Sequence, residues 1–141
     1  MGSTAIARTA EMTGSYVSEY DEIVRVLELY NEGVRRGSSA LMKSAFHESA
    51  TFFGYYEGKL LAGPIQLLFD WVDSNGPASE MQVRVASVDI HQTIAVLRLE
   101  MENVRGKLAG QTGCTLSDLF QLIKIDGAWK ISQKSFHWHT A

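Results

Sequence analysis

The stretch AFHESATFFGYYEGKL, residues 45–60, marks the point at which helical sequence gives way to strands. Its second half, residues 50–56, is β-branched and aromatic, a composition that favours a strand. The dipeptide Glu57-Gly58 then has the chemistry of a tight hairpin turn, after which residues 59–62 return as a second strand. This junction predicts a sheet that begins directly after a helical N-terminal region.

Two helices are predicted before this junction. Apolar residues recur at helical spacing from Ser18 to Arg36, with Ser18 as the expected N-cap and Gly37 as the expected C-terminal stop. The members of this stripe are Tyr20, Ile23, Val24, Leu27, Tyr30 and Val34. A shorter second helix is expected over residues 39–46.

The sequence after the junction predicts one more helix and a meander of strands. The helix is expected to start at Gly63-Pro64, because proline is favoured in the first turn, and to bury Ile65, Leu68, Phe69 and Val72. Strands are expected near residues 80–91, 93–105, 112–125 and 128–139. This order predicts an α+β fold with helices on one face of an antiparallel sheet, formed by residues 18–141 behind a flexible arm, residues 1–17.

Composition excludes several classes of function. A net charge of −3 gives no electrostatic footprint for nucleic acid. No apolar run approaches the ~20 residues that a membrane span needs. Cys114 is the only cysteine, so an intramolecular disulfide is impossible and a reducing, cytoplasmic location is expected.

Two longer stretches carry a family resemblance. LYNEGVRRGSSALMKSAFHESATFFG, residues 29–54, resembles the opening of the nuclear transport factor 2-like superfamily, and LSDLFQLIKIDGAWKISQKSFH, residues 116–137, resembles its close. Two stretches, FHESATFFGYYEGKL and GPIQLLFDWV, are similar in sequence to the polyketide-cyclase-like or lumazine-binding branch of this superfamily. The resemblance implies a cone-shaped roll, with three N-terminal helices packed on a strongly curved mixed or antiparallel sheet that encloses a cavity.

Within this resemblance, Tyr30 and Asp118 are placed similarly to the oxyanion-hole groups of ketosteroid isomerases. There a tyrosine donates to a developing enolate, beside an acid that its apolar site keeps protonated. The alternative is a core tyrosine and an aspartate that caps a loop or pairs with an arginine. The proton-abstracting aspartate of those isomerases falls at Gly54 here, so another residue would have to take the proton.

Histidines are the expected substitutes for that base, since their pKa lies near working pH. His137 and His139 alternate with Trp138 and share the parity of Trp129, so both are expected at the cavity mouth unless a bulge intervenes. His47 is a further candidate, although at a helix end it could instead cap carbonyl groups. The His-X-His spacing also suits a metal, but two ligands are too few and no metal or cofactor is expected.

Aromatic residues are the candidates for contact with a small apolar or flat aromatic ligand. They are Phe52, Tyr55, Phe69, Trp71, Phe120 and Trp129. A polar set, Arg98, Glu100 and Glu102, alternates with apolar residues and is expected on the outer sheet face. The resemblance implies that two such faces meet in a homodimer.

Three functions therefore remain open. The first is an isomerase-, dehydratase- or cyclase-type enzyme that acts by proton transfer on a cyclic or polyketide-like carbonyl compound. The second is a non-catalytic binder of a flat aromatic molecule, consistent with the missing base at Gly54. The third is a dimeric association module whose cavity is incidental.

Overall fold

A computed structural model describes residues 14–105 and 113–139. Two α-helices, α1 and α2, and two short 3-10 turns accompany six strands in the described residues. Their bounds in chain order are α1 Tyr16–Arg36, the turns Ser39–Leu41 and Lys43–Ala45, β1 Phe46–Tyr56, β2 Lys59–Pro64, α2 Gln66–Asn75, β3 Gln82–His91, β4 Ile94–Val104, β5 Cys114–Ile125 and β6 Ala128–His139.

The strands form one mixed sheet in the order β2-β1-β6-β5-β4-β3. Only the central pair β1 and β6 is parallel; the other neighbours are antiparallel. The α+β class is confirmed, with helices packed against one face of the sheet. Of the predicted flexible arm, residues 1–13 lie outside the described part of the chain, whereas Tyr16 and Val17 already belong to α1.

Helix α1 begins three residues earlier than predicted. The hydroxyl of Ser15, not of Ser18, caps it, because Ser15 Oγ accepts from the amide of Ser18 at 3.2 Å. The predicted stop is confirmed, since Gly37 closes the helix in the left-handed conformation with φ 66°. The buried face of α1 includes Tyr30, which this helix presents to the sheet.

Two helix predictions were wrong in detail. The segment 39–46 forms two 3-10 turns rather than an α-helix, because so short a segment does not repay the cost of helix nucleation. Pro64 does not open α2 but ends β2, where it pairs with Thr51. Since β2 is an edge strand, a proline without an amide hydrogen is tolerated there.

A bulge in β6 decides which side chains face the helices. Gln133 pairs with Gln121, whereas Ile131 pairs with the next residue of β5, so Ser132 is an extra residue in the strand. Trp129 and Ile131 are buried before the bulge, and the buried positions after it have the opposite parity. These later positions are Lys134, Phe136 and Trp138.

The outer face of β4 has the predicted alternation. Leu97, Leu99 and Met101 are buried, while Arg98 and Glu102 are exposed. In the described part of the chain, neither helix combines the length and the apolar character that crossing a membrane requires.

Candidate active site

The concave face of the sheet and the two helices enclose a cavity of about 140 Å³. Its walls are almost wholly apolar, and six aromatic residues form much of them: Tyr30, Phe52, Tyr56, Trp71, Phe136 and Trp138. Two further lining residues, Leu61 and Leu67, are 36% and 42% exposed and so mark the mouth. An apolar cavity with few polar groups is the usual form of a small-molecule site.

Three polar side chains meet at the buried end of this cavity. Tyr30 comes from α1, Asp118 from β5 and Lys134 from β6, and each is no more than 2% exposed. The Tyr30 hydroxyl donates to Asp118 Oδ2 at 3.1 Å, and Lys134 Nζ lies 3.3 Å from Asp118 Oδ1. Tyr30 and Lys134 line the cavity, with Asp118 directly behind them.

Aromatic rings surround the amine of Lys134. Its Nζ lies 4.6 Å from the ring centre of Phe136, 5.0 Å from that of Phe52 and 5.7 Å from that of Tyr30. Phe52 and Phe136 stack on each other with centres 4.7 Å apart. The ring faces attract a cation but offer no hydrogen-bond acceptor comparable to water, so the amine depends on Asp118 for a polar partner.

Burial shifts the pKa of each of the three groups in the direction that favours its neutral form. It raises the pKa of Asp118, against the opposing effects of Lys134 and Tyr30. It also lowers the pKa of Lys134, against the attraction of Asp118. The pKa of Tyr30 is raised by burial first and by the nearby Asp118 carboxyl second. The charged and neutral forms of the Asp118–Lys134 pair are therefore closer in energy than in water.

One oxygen of this cluster has spare hydrogen-bonding capacity. Although Asp118 Oδ1 lies within ion-pair distance of Lys134, their geometry is not that of a hydrogen bond, and no other donor in the described residues reaches it. Buried polar atoms are rarely left in this state, and where they are, a functional role is a common reason.

The structure brings together only part of the predicted site. Tyr30 and Asp118 meet, and the ligand candidates Phe52 and Trp71 line the cavity. Phe120 packs behind Tyr30 with ring centres 5.1 Å apart.

The remaining aromatic candidates lie elsewhere, contrary to expectation. Phe69 is in the core against Phe46, with ring centres 5.6 Å apart. Tyr55 is half exposed on the opposite face of the sheet. Trp129 donates its indole N–H to the buried carboxylate of Glu19 at 3.1 Å, and does not line this cavity.

The prediction that His137 and His139 point into the cavity mouth is wrong. The extra residue Ser132 reverses the alternation of β6, so Trp138 faces the cavity and both histidines face the other side of the sheet. His139 Nε2 lies 2.9 Å from the Ser117 hydroxyl there, and His137 is exposed.

His47 is also outside the cavity. It lies in β1 rather than at a helix end, and its Nδ1 accepts from the backbone amide of Ser49 at 3.0 Å, so it caps no helix. Within residues 14–105 and 113–139, no three histidine, cysteine, aspartate or glutamate side chains are grouped as metal ligands.

Gly54, at the position of the isomerase base, has no room for a side chain. A Cβ built there would lie 2.2 Å from the ring of Phe136 and 2.3 Å from its carbonyl oxygen. The space of that base is therefore occupied by the neighbouring strand. Sequence reasoning missed the amine that does enter the cavity, Lys134, because only the bulge at Ser132 turns it inward.

The fold and the cavity define a nuclear transport factor 2-like cavity protein, as the resemblance implied. A family model described as "Putative lumazine-binding" matches residues 18–137, and the chain belongs to that family.

Solved relatives support the same fold. An NTF2-like protein of unknown function from Methylobacillus flagellatus is 40% identical, with a TM-score of 0.82 over 94% of this chain and all of that one. One from Shewanella baltica is 37% identical, with a TM-score of 0.82 over 92% of this chain and all of that one.

A fungal protein named aldolase FrzH, from a Cladobotryum species, is 29% identical over 120 residues, which are 85% of this chain and 91% of that protein.

Proposed function

We propose that this protein is an enzyme that removes a proton from the carbon next to the carbonyl group of a small aldehyde or ketone. This step begins isomerisation, dehydration, cyclisation and aldol reactions alike. The observation that carries the proposal is the Tyr30–Asp118–Lys134 cluster at the buried end of an apolar cavity.

Asp118 is the proton acceptor in this proposal. Its carboxyl is buried and its pKa is raised, and a general base works best when its pKa approaches the working pH. The Tyr30 hydroxyl donates to Oδ2 and so holds the carboxyl in place, which leaves Oδ1 for the substrate proton. Lys134 activates the carbonyl group, since its amine lies 3.3 Å from Asp118 Oδ1 and its side chain also lines the cavity.

The size of the cavity limits the substrate. About 140 Å³ is close to the ~150 Å³ cavity that holds one benzene molecule in another protein. The enclosed part of the substrate is therefore a single ring or a short chain, and anything larger extends past Leu61 and Leu67. A two-ring pteridine such as lumazine fits this space poorly, and the apolar walls offer few partners for its ring nitrogens and oxygens.

The fungal relative named an aldolase supports this chemistry. An aldol reaction requires a carbon next to a carbonyl group to become nucleophilic, which is the outcome of the proton removal described above. The relative supports the class of reaction and leaves the substrate of this chain to experiment.

The test is the exchange of α-hydrogens for deuterium in a small ketone. Cyclohexanone in deuterated buffer, followed by proton magnetic resonance, is expected to exchange at least tenfold faster with the protein than without it. Asp118→Asn is expected to lower the catalysed rate ~10²-fold or more, because the general base is lost. Tyr30→Phe is expected to lower it about tenfold, because Asp118 loses its orienting hydrogen bond.

Matched variants control for non-specific damage. Tyr20→Phe on the same helix and Lys130→Met on the same strand lie away from the cavity and are expected to leave exchange unchanged. No exchange above buffer for cyclohexanone, cyclopentanone and propanal would overturn the proposal. Ligand-dependent thermal stabilisation without exchange would favour the binding function instead.

A further inference from the structure

We infer that Lys134 activates the carbonyl compound covalently, by forming an imine between its Nζ and the carbonyl carbon. This inference rests on the proposed function and deepens it, because it assigns Lys134 as a nucleophile rather than as a hydrogen-bond donor. The ligand class is a small aldehyde or ketone whose carbonyl carbon reaches the buried end of the cavity.

The geometry supports a nucleophilic amine at this position. Three aromatic rings surround Nζ within 5.7 Å, so the ammonium form has lost most of its hydration. Lysines in such desolvated pockets are the ones that add to carbonyl compounds, since only the neutral amine has a free electron pair. The bulge at Ser132 directs this amine, and no other lysine of the described chain, into the cavity.

The neighbouring carboxyl supplies the proton transfers that the step requires. The nitrogen lone pair forms a C–N bond while the carbonyl π electrons move to oxygen, which takes a proton from the Asp118 carboxyl. The new nitrogen cation gives a proton back to Asp118, the hydroxyl group leaves as water after protonation, and an iminium ion remains. Amine and carbonyl thus give imine and water, and no electrons are gained or lost.

The same carboxylate then stands next to the activated α-carbon. The iminium nitrogen withdraws electrons more strongly than a carbonyl oxygen does, so the α-proton passes to Asp118 and an enamine forms. Asp118 Oδ1 is 3.3 Å from Nζ, and thus within reach of atoms attached to this nitrogen. Tyr30 is a positioning residue here, since its hydroxyl contacts Asp118 Oδ2.

The experiment is reductive trapping with the intact protein at about pH 7, where an ordinary lysine with pKa about 10.4 is almost wholly protonated. Cyclohexanone and sodium cyanoborohydride would convert the imine to a stable secondary amine, which peptide mass spectrometry locates. Labelling of Lys134 is expected to exceed that of the exposed Lys59 at least tenfold. It should disappear in Lys134→Met and persist in Lys130→Met.

The dependence on pH provides a second readout that needs no variant. The titratable groups that face Nζ are Asp118 from β5 and Tyr30 from α1, while β1 and β6 contribute the rings of Phe52 and Phe136. Burial lowers the pKa of Lys134, so labelling should rise with pH and reach its midpoint below the ordinary lysine value.

Deuterium exchange and trapping fail in distinguishable ways. Exchange without preferential labelling of Lys134 would overturn the imine and leave the proposed function intact. Labelling of Lys134 without exchange would support the nucleophilic amine and overturn the proposed function. Equal labelling of Lys134 and Lys59 at every pH measured would overturn the inference outright.

Discussion

Single residues determine which chemistry the cavity can contain. Gly54 is the clearest example, because the ring of Phe136 packs in the space that a side chain at this position would need. A carboxylate at this position would collide with the neighbouring strand, so the isomerase arrangement is sterically closed to this chain. Phe136, from the strand next to β1, occupies the corresponding space.

Gly54→Ala is accordingly expected to destabilise the protein. The added methyl group meets the Phe136 carbonyl as well as its ring, and backbone cannot move aside cheaply, so a loss of about 1–3 kcal/mol in the free energy of unfolding is expected. Urea denaturation measures it. Phe53→Ala, on the outward face of the same strand, is the comparison and should cost less; equal costs would refute the packing argument.

At the scale of elements, helix ends and strand irregularities align the site. The close of α1 packs against the end of α2, since a Cβ at Gly37 would lie 2.9 Å from Pro77 N and from the carbonyl carbon of Gly76. The amide of Ala78 donates to Val34 O at 3.1 Å across the same junction. This contact ties Tyr30, about one turn before Val34 in α1, to the helix that forms the opposite wall.

Gly37→Ala is expected to disturb this junction more than an ordinary turn substitution would. Gly37 and Gly58 both have positive φ, 66° and 78°, so alanine costs about 1–2 kcal/mol at either place. An added Cβ at Gly58 would have no atom within 4 Å. An added Cβ at Gly37 would lie 2.9 Å from backbone atoms of the segment that follows α2. The free energy of unfolding should therefore fall by about 1 kcal/mol or more beyond the loss in Gly58→Ala. Equal losses in thermal or urea unfolding would show that the junction tolerates a side chain.

At the scale of the whole molecule, the Asp118–Lys134 pair is costly to bury. Both side chains are at most 2% exposed in a core that is mostly apolar, and the folded state loses the hydration of two ionisable groups. A pair like this is weak evidence for stability and stronger evidence for function. The homodimer through the outer sheet face stays a prediction, which size-exclusion chromatography with light scattering would test.

Replacing both members of the pair separates stability from function. Asp118→Leu alone leaves a buried amine without its carboxyl and is expected to cost about 3–5 kcal/mol. The double variant Asp118→Leu/Lys134→Met is expected to be at least as stable as the wild type, because two desolvated groups become apolar side chains of similar volume. It should catalyse no deuterium exchange. A double variant less stable than Asp118→Leu would show instead that the pair supports the fold.

The sequence by itself determined the α+β class, the six strands and most of the buried face of α1, because these follow from local periodicity and turn chemistry. The family was indicated by its resemblance to residues 29–54 and 116–137. The sequence also singled out Tyr30 and Asp118, which lie in regular parts of α1 and β5. Tertiary structure alone decided that Lys134, rather than His137 or His139, faces the cavity. The reason is physical: one extra residue at Ser132 inverts every later side chain of β6, and nothing in the local composition of that strand announces a bulge.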